Sequence, residues 1–230
     1  MKTVLAATAL LALAACSPKP AETRTEPPPA AAAAKPAAPA VTVPGGAYTL
    51  DKSHASLVFT VNHLGFSHYT ASFTDFDARL SFDPARPEAT TLEATINPRS
   101  LSLPNPPKGF KDELTGPQWL DAAQYPAITF KSTNVEVTGA NTAKVTGDFS
   151  LHGVTRPVSL DVVFNGGYAG HPMDPNARIG FSAKGVFNRS DFGIAFGVPA
   201  PGTKMGVSDA VNVAIEAEFS GPPLASKPAT

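Results

Sequence analysis

Residues 54–67, HASLVFTVNHLGFS, constrain the fold more than any other stretch of this chain. Leu57, Phe59, Val61 and His63 fall on one side of an extended backbone and Ser56, Thr60 and Asn62 on the other, with Val58 the one apolar exception. A period of two is the signature of a strand, so the stretch reads as a half-buried β-strand that ends at a glycine-marked turn. A shorter strand over Tyr48–Asp51 precedes it, with a turn at Lys52 and Ser53. Residues 63–71 then break the alternation and read as a turn or a short helical piece.

The same pattern recurs along the chain. Phe76, Ala78, Leu80 and Phe82 alternate with Asp77, Arg79 and Ser81 until Asp83 and Pro84 stop them. Leu92, Ala94 and Ile96 form a similar face, as do Ile128 and Phe130. Further on come Val145, Phe149 and Leu151, then Val158, Leu160, Val162 and Phe164 after a hairpin turn at 152–157. A loop over 165–178 leads to Ile179, Phe181, Ala183 and Phe187, and the last face runs from Val211 to Phe219. Residues 104–126 differ: they lack a period of two, and Pro117 to Ala123 reads as one short helix with Pro117 in its first turn and Trp119 facing inward.

About eight one-sided strands with turn signals between them specify an all-β protein, either a sandwich or an up-and-down antiparallel barrel. Hairpin spacing and an inward face rich in phenylalanine favour the barrel. A small barrel of eight strands is filled by its own side chains or holds one elongated ligand. An apolar strand face is ordinarily core, so the lining alone does not separate these two cases.

The folded unit is expected over residues 47–220, with different material on either side. Lys2 and the short apolar run 4–15 form a secretory signal, too short to remain as a membrane-spanning helix. It ends at Cys16, the one cysteine in the chain. Leu13, Ala14, Ala15 and Cys16 resemble a bacterial lipobox, in which the sulfur is lipidated and residue 16 becomes the new N-terminus. Such an anchor holds a protein to a membrane on the periplasmic side, and Ser17 at the next position favours the outer membrane. Residues 17–46 are rich in proline and alanine and read as a disordered tether reaching up to about 90 Å. Residues 221–230 read as a disordered tail. With 18 basic and 19 acidic residues and no basic cluster, the chain is not suited to nucleic acid.

Four blocks carry a family resemblance: HASLVFTVNHLGFS, WLDAAQYPAITFKS at 119–132, GDFSLHGVTRPVSLDV at 147–162 and FNRSDFGI at 187–194. In this order they resemble the YceI family of lipocalin-like periplasmic proteins that bind polyisoprenoids. The resemblance implies an extended eight-stranded antiparallel barrel with a short helical connection, a tunnel for an isoprenoid chain such as a quinone tail, and often a homodimer. The chain departs from the common pattern at FKDELTG, 110–116, where many members carry a histidine, and in the long loop AFGVPAPGTKMG, 195–206. Both departures bear on head-group preference.

The candidate ligand-binding residues on the first strands are Phe59, Val61, Phe76, Leu80 and Phe82, with His63 and Phe66 at the strand end. Trp119, Ile128, Phe130, Phe149 and Leu151 come from the middle of the chain, and Phe181, Phe187 and Phe192 from its last third. His63 and His68 make a metal pair conceivable, but zinc gathers three or four ligands and no further donors accompany them, so no metal is assigned. Arg189 and Asp191 read as a structural pair at a bend. No catalytic residues and no cofactor beyond a bound isoprenoid or quinone are expected. An enzyme acting on a lipid, with His63 or Arg189 essential, and a structural or stress-response module whose interior is merely core are the alternatives.

Overall fold

The leading alternation becomes β1 (Gly46–His63), which does not stop at the turn expected at Lys52 and Ser53. The computed structural model describes residues 42–224, and within them the chain forms β2 (Ser67–Phe73), β3 (Phe76–Phe82), β4 (Thr91–Ile96), β5 (Leu101–Ser102), α1 (Phe110–Leu114), β6 (Ile128–Val137), β7 (Thr142–Leu151), β8 (Val154–Tyr168), β9 (Asn176–Asn188) and β10 (Val207–Pro223). The signal segment, Cys16, residues 17–41 of the expected tether and residues 225–230 of the expected tail lie outside the described residues.

Ten strand segments make eight staves. One edge of β1 pairs with β3 near its start, Gly46 opposite Phe82, and with β2 near its end, Val61 opposite Tyr69. Segments β2 and β3 are therefore one bent stave, and β4 and β5, which pair with β3 and β2, are another. Each later strand pairs antiparallel with the next, and β10 returns to pair with β1 from Thr49 to His63. That last ladder closes the barrel.

The turn expected at 52–53 is a bulge inside β1. The register slips between Leu50 and Ala55, so residues 51–54 bow out opposite Glu218 while both halves stay paired with β10. Asp51 stabilises the bow locally: its Oδ1 accepts the Ser53 N–H at 3.0 Å and its Oδ2 faces His54 Nδ1 at 3.1 Å. Across the neighbouring β10, Arg178 of β9 pairs with Asp51 and donates from Nε to Asp174 at 3.1 Å, and Tyr168 donates to the same Asp174 carboxylate at 2.6 Å. Hydrogen bonds from His54, then Arg178 and the Ser53 amide, hold the Asp51 carboxyl down to about 2. A carboxyl depressed in the folded state contributes stability above its unfolded value near pH 4 and loses it as pH falls toward 2. Asp51→Asn is therefore expected to lower stability at pH 7 by about 1–2 kcal/mol and to flatten acid unfolding between pH 4 and 2, read by urea titration at several pH values. An unchanged pH profile would exclude the role.

Several other expectations change. Residues 63–71, read as a break, hold a three-residue turn, Leu64 to Phe66, with positive φ at Leu64 and Gly65 and the Phe66 amide bonded to His63 O at 2.9 Å, and then strand β2. Positive φ at these two positions matches the strand twist, and pairing resumes with Ser67 opposite His63. The helix forms at Phe110–Leu114, not at 117–123, because Lys111, Glu113 and Leu114 are good helix formers and the acidic Asp112 and Glu113 lie in the first turn, whereas Gly116 and Pro117 stop it. Trp119 to Tyr125 then run through turns closed by bonds such as Asp121 N–H to Gly116 O at 2.9 Å.

The fold also takes in residues assigned to tether and tail. Val43 is 5% exposed, Pro44 O accepts the Tyr48 hydroxyl at 2.6 Å, and β10 continues to Pro223. Gly221 is what lets the Tyr48 ring, 1% exposed, lie flat against β10: a Cβ there would occupy the ring's own space. Composition gave no warning, since these short end segments gain burial only from the barrel they lie on.

Candidate functional site

The inward faces of the eight staves do not meet in the middle. They enclose a cavity of about 870 Å³, within the range of sites for small apolar ligands. Phe59 and Val61 reach it from β1, Phe76, Leu80 and Phe82 from β3, and Ile128 and Phe130 from β6. Phe149 and Leu151 from β7 and Phe181 and Phe187 from β9 also face it, and Trp119 approaches from the α1 connection. All these were expected from the sequence.

Three expected residues are elsewhere. His63 is the last residue of β1, still in register with Ser67 of β2, and at that strand end it is exposed and off the cavity wall. Phe66 sits on the β1–β2 turn and is 83% exposed. Phe192 is 1% exposed and packs on Phe149 and Phe187 at centroid distances of 5.3 and 5.5 Å, behind the wall and not on it. The structure adds Ala94, Ala183, Val213 and Ile215 to the wall, all on faces whose alternation was legible, and Thr90, Asn141 and Asn165, which nothing in the pattern singled out.

The two ends of the cavity differ. At one, Trp119, Leu120, Ile194 and the stem of Arg189 cover the barrel, and Trp119 is edged by Phe196 at 5.6 Å. At the other, cavity-lining Ala140, Asn141 and Asn165 are exposed, so the cavity opens between the β6–β7 hairpin, β8 and the β3–β4 connection that carries Pro84 and Thr90.

Arg189 is the one ionisable side chain among the lining residues, and its donors are spent on backbone. Nε donates to Ser208 O at 3.0 Å, Nη1 to Ile194 O and Phe196 O at 2.8 Å each, and Nη2 to Val207 O at 2.9 Å. Its guanidinium lies 5.1 Å from the centre of the Trp119 ring, a cation–π distance. Burial pushes its pKa down, with Asp209 opposing. It does not pair with Asp191, which is exposed; Asp209 is the nearby carboxylate, and that is held by the Ser190 amide and hydroxyl at 2.8 and 2.7 Å. Two buried polar atoms lack partners among the described residues, Thr90 Oγ1 near the mouth and Trp119 Nε1 at the covered end. No group of three or more His, Cys, Asp or Glu side chains among the described residues is placed to hold a metal ion. What this arrangement does well is exclude water from an elongated apolar guest.

A YceI-like domain matches residues 48–219. The chain belongs to the YceI family. A UPF0312 protein from Pseudomonas savastanoi pv. phaseolicola is 38% identical over 151 residues, which cover 64% of this chain and 76% of that relative. Among solved structures, Burkholderia cenocepacia BcnA superposes with a TM-score of 0.62 at 24% identity, over 74% of this chain and 98% of that one. A polyisoprenoid-binding domain from Saccharophagus degradans superposes with a TM-score of 0.53 at 14% identity, over 76% and 98%. At these identities the two structures speak for the barrel alone. The YceI barrel here is thus supported by sequence over residues 48–219 and by shape over 74–76% of the chain.

Proposed function

We propose that this YceI protein binds a polyisoprenoid lipid, an isoprenoid quinone or a related polyprenyl chain, and sequesters or carries it without chemistry of its own. The observation that carries this reading is a cavity of about 870 Å³ whose wall is apolar along its length and whose one charged group is already satisfied by four carbonyls. The name of the Saccharophagus degradans domain points to the same ligand class. Each five-carbon prenyl unit taken from water contributes about 3–4 kcal/mol before binding costs, so a few units suffice. Because that attraction has no direction, the wall favours the tail and leaves the head group to the mouth. The protein acts in the periplasm, held at a membrane, in keeping with Ser17 the outer one, through lipidated Cys16. Neither His63, which lies off the cavity wall, nor Arg189, whose donors are spent on carbonyls, favours the enzyme reading.

The uncharged polar groups at the mouth, Thr90, Asn141 and Asn165, suit a neutral head group. A phosphorylated head brought among them meets no basic side chain on the cavity wall at this end, where Arg86 and Lys144 nearby are already paired with Asp83 and Asp161, and drawing its charge out of water toward the wall is costly. Farnesol is expected to bind at least about tenfold more tightly than farnesyl diphosphate, in a titration followed by Trp119 fluorescence. Native and denaturing mass spectrometry of the protein from its own host is expected to show a copurifying lipid with prenyl mass spacing, and the same spectra report whether the barrel is a dimer. No copurifying lipid together with no binding of either probe would overturn the reading.

A further inference from the structure

The open end of the barrel has an apolar rim. On the β6–β7 side Val137 is 48% exposed beside exposed Ala140, and Val163 of the adjoining β8 is 37% exposed on the outer face. The β8–β9 loop, tied by reciprocal bonds of 2.9 Å between His171 and Asp174, holds Met173 out at 91% exposure. Leu224, 42% exposed, is fastened beside that loop by its amide to Pro175 O at 2.7 Å. The chain also enters the barrel at this end: Val43 reaches the cavity wall and Gly46 pairs with Phe82.

We propose that this rim docks on a lipid bilayer and lays the mouth of the cavity against it. The proposal rests on the lipid-carrier reading above and says where that lipid passes. A prenyl chain that leaves a bilayer through water exposes its whole apolar surface, whereas one that leaves through an apolar rim pressed on the acyl boundary exposes little of it. Val137 and Ala140 belong both to the rim and to the cavity wall, so the rim meets the mouth on the β6–β7 side, where an apolar guest leaving for a bilayer would pass.

Charge on the rim points the same way. Arg86 pairs with Asp83 at 3.0 Å and Lys144 with Asp161 at 3.6 Å, while Glu88 and Glu136 are exposed acids. With no excess of basic side chains, the rim has no preference for anionic lipid and docks by apolar insertion, so phosphatidylcholine vesicles are a sufficient probe and salt has little effect. The opposite end also exposes apolar tips, Phe66 at 83%, Met205 at 75% and Phe196 at 50%, joined by the Leu64 amide to Gly206 O at 2.9 Å. Trp119, Leu120 and Ile194 shut the cavity there, so those tips lead nowhere and serve as the internal control.

Hydrogen exchange of the full chain with and without phosphatidylcholine vesicles tests this. Exchange in residues 137–141 and 169–175 is expected to slow by about fivefold or more on vesicles, while residues 64–66 and 195–206 stay unchanged. The pair Val163→Asp and Met173→Asp, both off the cavity wall, is expected to abolish that slowing and to leave farnesol affinity unchanged. Slowing at 64–66 and 195–206 instead, or at neither pair of segments, overturns the proposal. Rim protection in a protein that binds no farnesol upholds the docking surface and overturns the carrier reading; farnesol binding without rim protection does the reverse.

Discussion

Arg189→Met is expected to destabilise the barrel by about 3–5 kcal/mol, the largest loss from any single polar side chain in it. Arg189 is 4% exposed and bonds four backbone carbonyls, those of Ile194, Phe196, Val207 and Ser208. These belong to the two ends of the long β9–β10 connection, so one guanidinium fastens a loop that has little regular structure of its own. Methionine keeps much of the stem and its contact with Trp119 but donates nothing. Each carbonyl that then stays buried without a partner costs about 1–3 kcal/mol, and the total is smaller than the sum because the loop opens to water. Arginine stays charged even with its pKa lowered by burial, so the effect does not depend on pH in the physiological range. Arg189→Lys separates charge from geometry: an ammonium has three donors on one nitrogen and cannot span four carbonyls, so it is expected to recover about half of the loss at best. Urea unfolding reads the stability, and hydrogen exchange in residues 193–206 reads the loop. A loss under about 1 kcal/mol for Arg189→Met would mean that water replaces the guanidinium without penalty.

The sequence shows which residues alternate but not where the alternation resets, and that is where its reading and the structure part. From Leu57 to Val61 the inward series holds, and it holds again through β3, β4, β6 and β7, so the barrel and most of its wall were legible. His63 belongs to the same written series as Val61 and stays in register with β2, yet it is the last residue of the strand and lies exposed off the wall, where residues 208–210 of β10 bow out opposite Asn62 and Ser208 Oγ accepts the Asn62 amide at 2.8 Å. A bulge is a property of two strands, and one strand's sequence carries half of it. The bow at 51–54 misled for the same reason, reading as a turn between strands because Asp51 and Ser53 have turn chemistry either way. Arg189 and Asp191 were read as a pair because they are close in sequence. In the fold Arg189 looks to carbonyls five to nineteen residues away, which spacing does not reveal. The mouth residues Asn141 and Asn165 were illegible altogether, since a hairpin tip and a strand end become a rim only when the barrel closes.

Why the cavity survives folding follows from where the large side chains sit. Near the mouth Phe82, Phe164 and Phe181 pack together at centroid distances of 5.4–6.0 Å. Toward the covered end Phe149, Phe187 and Phe192 do the same at 5.0–5.5 Å. These two groups supply dense packing and aromatic contacts worth about 0.5–1.5 kcal/mol per pair beyond burial. Other wall positions are small: Ala78, Ala94 and Ala183. The barrel is thus secured by its aromatic groups and its closed ladder, and the empty volume is left where short side chains face inward.

Filling that volume is therefore expected to remove ligand binding without unfolding the protein. Ala183 sits on the cavity wall of β9, paired with Val162 and Ile215 in the neighbouring staves. In Ala183→Phe a ring projects into the void and takes the place of about one prenyl unit, so the guest loses roughly 3–4 kcal/mol of burial. Farnesol affinity is then expected to fall about a hundredfold or more. Forcing a ring into a packed core would itself cost about 1–3 kcal/mol, but here the ring meets empty space, and the thermal midpoint is expected to hold or rise. Lys184→Phe places the same ring on the exposed outer face next door and is expected to change neither reading. An unchanged farnesol affinity in a folded Ala183→Phe protein would show that the chain does not occupy the volume beside this residue and would move the ligand toward the rim. A collapse in stability would instead mean that the void is smaller in solution than its walls describe, and the interior is then core.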